Sequence, residues 1–381
     1  MIKAAYIHIP FCHHICHYCD FNKVFMDRQP VGEYLSSLEK EMNITIKESP
    51  VPALQSIFVG GGTPTALDEK QLGILVQAIG ETLPYDAQTE YTFEANPGDL
   101  SKEKLRILKD AGVNRLSFGV QSFNDELLQK IGRSHRAADV FKSIRAAQDI
   151  GFENISVDLI YSLPGQTLED FKSTLTTALD LDLVHYSGYS LIIEPKTVFY
   201  NLMNRGKLHL PGEEIEAQMY ELLMDSMEKK GLKQYEISNF AQPGFESKHN
   251  LTYWSNEEYF GFGAGAHSYV NGYRRSNHGP IKKYMEPLEI GSLPFLENHP
   301  ATKAEQMEEE MFLGLRKTEG VSISRFIEKF GVNPLELFKR ELREHQANKL
   351  IEQSDDRIVL TRKGRLLGNE VFQSFLGISN D

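Results

Sequence analysis

The stretch HIPFCHHICHYCDFN, residues 8–22, contains every cysteine of the 381-residue chain. The three thiols, Cys12, Cys16 and Cys19, follow the spacing C-x3-C-x2-C. Three clustered cysteines do not make a disulfide framework, so we expect a protein of the reducing cytoplasm. The fold and the function both depend on what three closely spaced thiolates hold without a fourth.

On the residues alone, three interpretations of this cluster are open. The thiols could be small core residues or form a chance disulfide, although three within eight residues are unusual for either. A zinc site could combine them with His13, His14 or His17, but structural zinc sites usually take ligands from two separated segments. A [4Fe–4S] cluster takes one thiolate per iron, so three thiolates leave one iron open to a ligand.

The composition is typical of soluble proteins, with 41% hydrophobic and 25% charged residues. The net charge of −12 argues against a nucleic-acid partner, because phosphate binding requires a basic surface. No run approaches the roughly 18 apolar residues of a membrane-spanning helix. The N-terminal MIKAAYIHIPFC lacks the features of a signal peptide.

Six β-rich runs alternate with helical patterns over the first half of the chain. The candidate strands are residues 4–9, 56–61, 90–95, 115–122, 154–162 and 185–192. The helical segments between them are residues 31–47, 68–83, 101–112, 136–151 and 167–182. Such βα repeats imply parallel strands with right-handed crossovers. Since six units are too few for a closed eight-fold barrel, we predict an α/β fold with a partial (β/α)6 barrel, and functional residues at the carboxyl ends of its strands.

Polar residues stand where these strands end. The second strand runs into GGGTPT, residues 60–65, whose glycines allow a ligand to approach the backbone, although a tight turn before a helix would also use them. Glu94, Gln121 and Asp158 place polar groups on the next three strands. Arg133 follows with a guanidinium that can bind a carboxylate. Three polar strand ends on one rim predict a binding site.

Seven segments together resemble the HemN/HemW family of radical SAM proteins. They are YIHIPFCHHICHYCDF, FVGGGTPT, FEANP, GVQSF, IGR, DLIYSLPGQT and HNLTYW. The resemblance covers nearly the whole chain and implies a [4Fe–4S] cluster whose open iron is chelated by S-adenosylmethionine (SAM). It assigns Cys12, Cys16 and Cys19 to the cluster. It assigns to the SAM pocket Tyr6, Tyr18, Gly61, Gly62, Thr63, Glu94, Gln121, Arg133 and Asp158.

This family includes oxygen-independent coproporphyrinogen III oxidases and haem chaperones that hand haem to respiratory proteins. The oxidases place a cysteine two positions after the third ligand, where this chain has Phe21. They also carry an N-terminal extension, which we do not expect here because Cys12 lies almost at the start. Residues 249–254, HNLTYW, match the haem motif of the chaperones. The resemblance therefore implies a haem chaperone without coproporphyrinogen III oxidase activity, and an oxidase or another radical SAM enzyme is the alternative.

The HNLTYW motif also has a physical interpretation. His249 offers an imidazole, a common axial ligand of haem iron. Tyr253 and Trp254, the only tryptophan of the chain, offer flat surfaces on which a porphyrin can pack. A surface-loop histidine beside core aromatics is the alternative. We predict His249 as the haem ligand, and haem-accepting proteins, including membrane-associated respiratory enzymes, as partners; a homodimer stays open.

The rest of the chain divides into an irregular part and a helical end. Residues 286–303, EPLEIGSLPFLENHPATK, predict a linker between domains of residues 1–290 and 302–381. The predicted C-terminal elements are helices over 303–317, 322–330, 334–351 and 362–376, and a hairpin over 350–361. This pattern is winged-helix-like, but acidic runs such as EQMEEEM favour a scaffolding or docking domain over a nucleic-acid reader.

Overall fold

The computed structural model describes residues 1–377. Within this range the strands are β1 (Ala4–Ile9), β2 (Phe11–Cys12), β3 (Val24–Phe25), β4 (Ser56–Gly61), β5 (Glu90–Ala95), β6 (Arg115–Gln121), β7 (Asn154–Tyr161), β8 (His185–Ser190), β9 (Lys233–Glu236), β10 (Asn239–Ala241), β11 (Tyr259–Phe262), β12 (His267–Val270), β13 (Tyr273–Asn277), β14 (Phe295–Pro300), β15 (Val321–Ser322), β16 (Ile351–Gln353) and β17 (Arg357–Leu360). The helices are α1 (Val31–Glu48), α2 (Glu69–Thr82), α3 (Lys102–Asp110), α4 (Asp125–Lys130), α5 (Ala137–Asp149), α6 (Leu168–Leu179), α7 (Val198–Asn204), α8 (Glu213–Lys229), α9 (Lys248–Trp254), α10 (Ile281–Glu289), α11 (Lys303–Gly314), α12 (Ile323–Phe330), α13 (Pro334–Leu337), α14 (Lys339–Ala347), α15 (Arg362–Leu366) and α16 (Gly368–Gln373). None of these helices has the length and apolar character needed to span a membrane.

The centre of the large sheet is parallel, as the βα repeats require. The strand order is β14-β13-β12-β11-β1-β4-β5-β6-β7-β8-β10-β9. Every neighbouring pair from β11 to β8 is parallel. The six predicted strands are β1, β4, β5, β6, β7 and β8. The predicted runs 115–122 and 154–162 extend one residue too far, and the run 185–192 extends two residues too far. The predicted α/β partial barrel is confirmed.

The strands divide their side chains between two faces, because successive residues of a strand point in opposite directions. On β5, Tyr91 and Phe93 join the main hydrophobic core with the surrounding helices. Glu90, Thr92 and Glu94 occupy the other face, which lies inside the barrel. Strand β5 therefore carries one carboxylate towards each end of the barrel.

The segment after α9 extends the sheet. Strand β11 adds a seventh parallel strand beside β1, and β12, β13 and β14 continue in antiparallel order. The prediction of a linker over residues 286–303 was wrong, since this stretch contains the end of α10 and all of β14. The reason is that β14 is an exposed edge strand without apolar alternation, and Pro287 lies inside α10.

A buried carboxylate connects this extension to α1. Glu41 accepts hydrogen bonds from the backbone N–H of Gly263 at 2.8 Å, the amide of Asn277 at 2.6 Å and the hydroxyl of Tyr284 at 2.6 Å. Burial raises the pKa of Glu41 to about 7, although the three donors oppose this change. The hydrogen bonds of Glu41 thus link α1 to the β11–β13 segment and to α10.

The C-terminal elements surround a second hydrophobic core. Met311, Phe326, Phe338, Ile358 and Phe375 are fully buried within it. The short strands form a separate sheet in the order β15-β17-β16, which includes the predicted hairpin. The helix-and-hairpin pattern is therefore as predicted.

Two predicted helices are interrupted in this domain. The segment 334–351 divides into α13 and α14, and the segment 362–376 divides into α15 and α16. The breaks fall at Phe338 and Leu367, whose ψ angles are 31° and 26°. Phe338 is fully buried at its break, so packing of this ring overrides the helical periodicity.

We expect Glu41→Gln to flatten the pH dependence of the free energy of unfolding. Because the pKa of Glu41 is raised in the folded state, the folded protein keeps a proton that the unfolded chain has lost between about pH 4.5 and 7, so wild-type stability should fall as the pH rises through this window. Denaturant titrations at about pH 5 and about pH 8 measure the difference. Glu33→Gln, at an exposed position of the same helix, is the control. Parallel behaviour of wild type and Glu41→Gln would contradict the prediction.

Candidate functional site

The cysteine loop, residues 11–25, lies at the carboxyl end of the barrel, between β1 and α1. It is framed by the paired short strands β2 and β3. The hydroxyl of Thr63 donates to Cys12 Sγ at 3.5 Å, and the guanidinium of Arg133 donates to Cys16 Sγ at 3.5 Å. The loop is therefore held against the segments that follow β4 and α4.

The three thiols are close enough to influence one another. Burial raises the pKa of Cys12 and raises that of Cys19 to about 11, and the neighbouring Cys16 adds to both shifts. Metal binding at these thiols must therefore release protons. Among residues 1–377, no three His, Cys, Asp or Glu side chains are placed so that they could hold one metal ion between them. A cubane cluster needs no such convergence, because each thiolate binds a different iron.

One cavity of about 1200 Å³ joins the cysteines to the polar strand ends. It is lined by all three cysteines and by residues of the barrel, α8 and the C-terminal domain. The residues predicted for SAM that line it are Tyr18, Gly61, Gly62, Thr63, Glu94, Gln121, Arg133 and Asp158. Tyr6 does not line the cavity, and its hydroxyl lies 3.0 Å from Nδ1 of His8. The structure thus brings together every residue predicted for SAM except Tyr6.

The glycines after β4 are needed for close packing. A Cβ atom on Gly60 would lie 2.7 Å from the carboxyl group of Glu94, and one on Gly62 would lie 2.8 Å from the carbonyl oxygen of Ile9. Gly61 has a φ of +111°, and its N–H donates to Glu94 Oε2 at 3.0 Å. The glycine run therefore lets β1, β4 and β5 approach one another beside the cysteines, and it holds the Glu94 carboxylate in place.

Two carboxylates face this cavity without a cationic partner. Burial raises the pKa of Glu94 to about 7, and the neighbouring Asp158 adds to this shift. Burial also raises the pKa of Asp158, while hydrogen bonds from Ser187 and Ser117 and the more distant charges of Arg115 and Arg133 lower it. Neither carboxylate forms an ion pair with another residue of the 1–377 range. A cationic ligand in the cavity would relieve their mutual repulsion.

Asn96 links the two walls of the cysteine site. It is not among the site residues predicted from the sequence. Its amide donates to Thr63 Oγ1 at 3.1 Å, and its Oδ1 accepts from Arg133 at 2.7 Å. A continuous series of polar contacts therefore runs from Cys12 through Thr63, Asn96 and Arg133 to Cys16. Asn96 follows the last residue of β5 and so lies at the predicted rim, which is the signal that could have identified it.

Gln121 ends β6 in a strained conformation. Its φ is +66°, in the left-handed region that non-glycine residues rarely adopt. The register of β6 against β7 also shifts between Gly119 and Gln121. Such strain persists only where the surroundings impose it, and it is common at ligand sites. Here it accompanies a side chain that lines the cavity.

His249 lies at the other end of the barrel, in α9. It is 2% exposed. Its Nδ1 lies 3.0 Å from Oγ of Ser56, the first residue of β4, and its Nε2 lies 2.9 Å from the hydroxyl of Tyr253. Burial lowers the pKa of His249 to about 3, so the ring is neutral. In this arrangement both ring nitrogens are engaged within the protein, and His249 is not a surface-loop residue.

A second histidine has the same surroundings. Nδ1 of His185, which is 1% exposed, lies 2.7 Å from Oγ of Ser156, and its Nε2 lies 2.9 Å from the hydroxyl of Tyr235. His185 begins β8, so it also lies towards the amino ends of the strands. These two Ser–His–Tyr groups close the same end of the barrel, and His185 is a matched control for any test of His249.

Trp254, the last residue of the HNLTYW motif, contacts a different part of the protein. The guanidinium carbon of Arg316 lies 5.0 Å from the centre of the Trp254 ring and 4.6 Å from that of Phe372. Arg316 and Phe372 both line the cavity that contains the cysteines. The HNLTYW motif is therefore connected to this cavity through Trp254 and Arg316, whereas His249 does not line it.

Comparisons with known proteins agree with these features. The model of the radical SAM superfamily matches residues 6–178, and that of the HemN C-terminal domain matches residues 301–367. The solved structure of coproporphyrinogen III oxidase (HemN) from Escherichia coli superposes with a TM-score of 0.84 over 98% of this chain and 90% of that chain. Its identity is 24%, so this likeness shows the fold alone.

Similarity to curated relatives extends over the full length. The haem chaperone HemW of Bacillus subtilis (strain 168) is 59% identical, with coverage of 99% of this chain and 100% of that protein. The haem chaperone HemW of Lactococcus lactis is 48% identical, with coverage of 98% and 97%. The haem chaperone HemW of Escherichia coli (strain K12) is 31% identical, with coverage of 98% of each chain. The chain therefore belongs to the HemW family of radical SAM proteins.

Proposed function

We propose that this protein is a haem chaperone that binds haem, a [4Fe–4S] cluster and SAM, and that delivers haem to haem-containing proteins. The observation that carries the proposal is the 59% identity, over the full length of both chains, to a relative named as a haem chaperone. The cavity supports it, because its volume of about 1200 Å³ leaves room for an additional ligand beside a cluster and SAM.

The donor set of the cavity fits the cluster and SAM. Cys12, Cys16 and Cys19 would each bind one iron. The cluster, when bound, supplies an open iron for chelation and an electron for cleavage of the sulfonium. Glu94 and Asp158 would attract the positive charges of SAM, since neither carboxylate forms an ion pair within residues 1–377. The other residues predicted for SAM would form the walls of this pocket or, for Tyr6, lie behind them. The wall residues are Tyr18, Gly61, Gly62, Thr63, Gln121 and Arg133.

Haem ligation by His249 would require a local rearrangement. The ring nitrogens of His249 would first have to leave Ser56 and Tyr253. The N-terminus of α9 is also held by Glu90, which accepts hydrogen bonds from the backbone N–H groups of Lys248 and His249. We therefore propose that any bond between His249 and haem iron forms together with displacement of α9.

The alternative function is oxygen-independent coproporphyrinogen III oxidation. The one observation that favours this alternative is the fold that the chain shares with HemN. Phe21, which stands where the oxidases have a cysteine, is 63% exposed and lines the cavity. A phenyl ring cannot donate or accept the proton or hydrogen atom that a thiol can, so we propose that this chain lacks the oxidase activity.

We also propose two domains, residues 1–290 and 302–381, because the elements on either side of β14 pack around separate cores. Residues 378–381 lie outside the described residues. The three-thiolate cluster favours a reducing location, for which we propose the cytoplasm, with membrane-associated respiratory enzymes among the haem acceptors.

Anaerobic reconstitution tests the cluster. We expect about four irons per wild-type chain, because a cubane with three thiolate ligands accounts for all three cysteines. Cys16→Ser should lose the visible absorption of the cluster. His14→Ala is the control, since His14 lines the cavity but is not a proposed ligand. Uptake of one zinc and no iron by the wild type, together with loss of that zinc in His14→Ala, would establish a Cys3His site instead.

SAM affinity tests the buried carboxylates. Glu94→Gln removes the charge and keeps the shape, and we expect SAM binding to weaken by about tenfold or more, the usual effect of losing a charge-assisted contact. Iron content should stay at the wild-type level, because Glu94 is not a cluster ligand. Glu90→Gln, on the same face of β5 at the other end of the barrel, should leave SAM affinity unchanged. Equal weakening in both variants would indicate that the carboxylates stabilise the fold rather than bind SAM.

The haem spectrum tests His249. If His249 binds the iron, His249→Ala should shift the ligand-sensitive absorption bands of bound haem and weaken binding, while His185→Ala, with the same buried surroundings, should keep the wild-type spectrum. The cluster should survive in both variants, because the cysteines lie at the opposite end of the barrel. Wild-type protein should not decarboxylate coproporphyrinogen III. Unchanged haem bands in His249→Ala would show that His249 is not a ligand of the haem iron. Decarboxylation by wild type would favour the oxidase function.

A further inference from the structure

Arg316 occupies an unusual position at the wall of the cavity. It follows α11, and its backbone carbonyl accepts a hydrogen bond from the N–H of Ile237 at 3.0 Å. Its guanidinium lies between the rings of Trp254 and Phe372, at 5.0 Å and 4.6 Å from their centres. Stacking on aromatic faces restrains a guanidinium while leaving the N–H groups at its edge free to donate.

The side-chain donors of Arg316 have no acceptor among residues 1–377. Its Nε atom is buried without a hydrogen-bond partner, and the side chain forms no ion pair with any residue in the 1–377 range. Glu236 is close enough to affect the pKa of Arg316, but the Glu236 carboxylate accepts hydrogen bonds from Ser238 and Asn239 instead. A buried donor without a partner costs free energy, so this site favours an acceptor from outside the chain.

Other cations on the same wall are also without carboxylate partners. Arg365 donates to Oε1 of Gln234 at 2.7 Å, and Lys363 donates to the carbonyl of Asn348 at 3.2 Å. Neither forms an ion pair within the described part of the chain. Both line the cavity beside Arg316. Positive charge is therefore in excess where the C-terminal domain meets the cavity.

The neighbouring surfaces are apolar and aromatic. Ile237, Leu366, Leu367 and Phe372 line the cavity next to these cations, together with Tyr220 of α8. The acidic residues that line it from α8 are Glu213, Glu214 and Glu216, which precede Tyr220 by about 6 to 10 Å along the helix axis. Glu370 of α16 also lines the cavity on this side. The cavity wall thus combines an apolar and aromatic surface with three cations, Arg316, Lys363 and Arg365, against the single carboxylate that the C-terminal domain contributes.

On the proposed function, on which this inference rests, the ligand is haem, an apolar macrocycle with two propionates on one edge. We propose that Arg316 binds a haem propionate at this wall, with Arg365 and Lys363 as additional cations, and that Trp254 holds the Arg316 guanidinium in place. Arginine matches the two oxygens of a carboxylate with parallel donors. Trp254 is then a positioning residue, and the HNLTYW motif contributes to haem binding through Trp254 and Arg316, independently of any iron ligand.

The test compares haem with its dimethyl ester, in which both propionates are uncharged. Cluster-reconstituted full-length protein with SAM is titrated with each ligand by absorbance. We expect wild type to bind the diacid about tenfold or more tightly than the ester, because an arginine–carboxylate contact is charge-assisted. In Arg316→Gln this ratio should fall towards one, while affinity for the ester stays at the wild-type level. Trp254→Leu should lower the ratio by a smaller factor.

Arg274→Gln is the matched control. Arg274 is also stacked, with its guanidinium carbon 3.8 Å from the centre of the Tyr269 ring. It differs in being ion-paired with Glu309 and in not lining the cavity. Arg274→Gln should therefore retain the wild-type ratio of the two affinities.

The ratio separates ligand binding from folding. Equal losses of affinity for diacid and ester in Arg316→Gln would show a structural role and overturn the inference, as would an unchanged ratio in a variant that melts like wild type. If Arg316→Gln does not fold, Arg365→Gln and Trp254→Leu report on the same wall, and an unchanged ratio in both has the same consequence. Wild type that binds neither ligand would instead overturn the proposed function.

Discussion

The hydrogen bonds of Asn22 hold the cysteine loop on the barrel. Nε2 of His8, on β1, lies 2.6 Å from the carbonyl oxygen of Asn22, and the Asn22 amide donates to the carbonyls of Ala264 and Gly279 at 2.8 and 2.9 Å. A loop that carries three cysteines and little regular structure needs such external support. A Cβ atom on Gly265 would lie 2.9 Å from the Asn22 amide, so a glycine there permits this contact. The cysteine geometry therefore depends on the extension after β11 as well as on the six βα units.

The two ends of the barrel differ in how their polar groups are satisfied. At the amino end, His249 and His185 each lie between a serine and a tyrosine hydroxyl, and burial keeps both rings neutral. At the carboxyl end, burial raises the pKa values of Glu94 and Asp158, and neither carboxylate forms an ion pair within residues 1–377. Polar groups that satisfy one another's hydrogen bonds stabilise a fold, whereas like charges held close together favour a ligand of opposite charge. By this criterion the carboxyl end is the better candidate for a ligand site.

Local pattern was enough to predict the six barrel strands, because each is a short β-rich run and a segment of helical periodicity separates each run from the next. It failed at β14, which is exposed and polar, and at Phe338, where packing breaks a periodic helix. Polar residues on otherwise apolar strands led to Glu94 and Asp158, since parallel strands bring their carboxyl ends together, and both residues line the cavity. Spacing along the chain carried no information about which side of α9 faces the barrel, so the surroundings of His249 and the contact with Arg316 required the three-dimensional structure.

Helix geometry separates the contributions of the HNLTYW motif. His249 and Tyr253 are four residues apart, on one side of α9, which is why their side chains meet at 2.9 Å. His249 and Trp254 are five residues apart, or about 140° around the axis at 3.6 residues per turn. While α9 keeps its helical form, one flat ligand cannot contact both. Either α9 unwinds when haem binds, which frees His249 for the iron, or it stays intact and acts on the ligand through Trp254 and Arg316. The intact helix is compatible with every hydrogen bond seen at the amino end of the barrel, whereas unwinding must break those of Ser56, Tyr253 and Glu90.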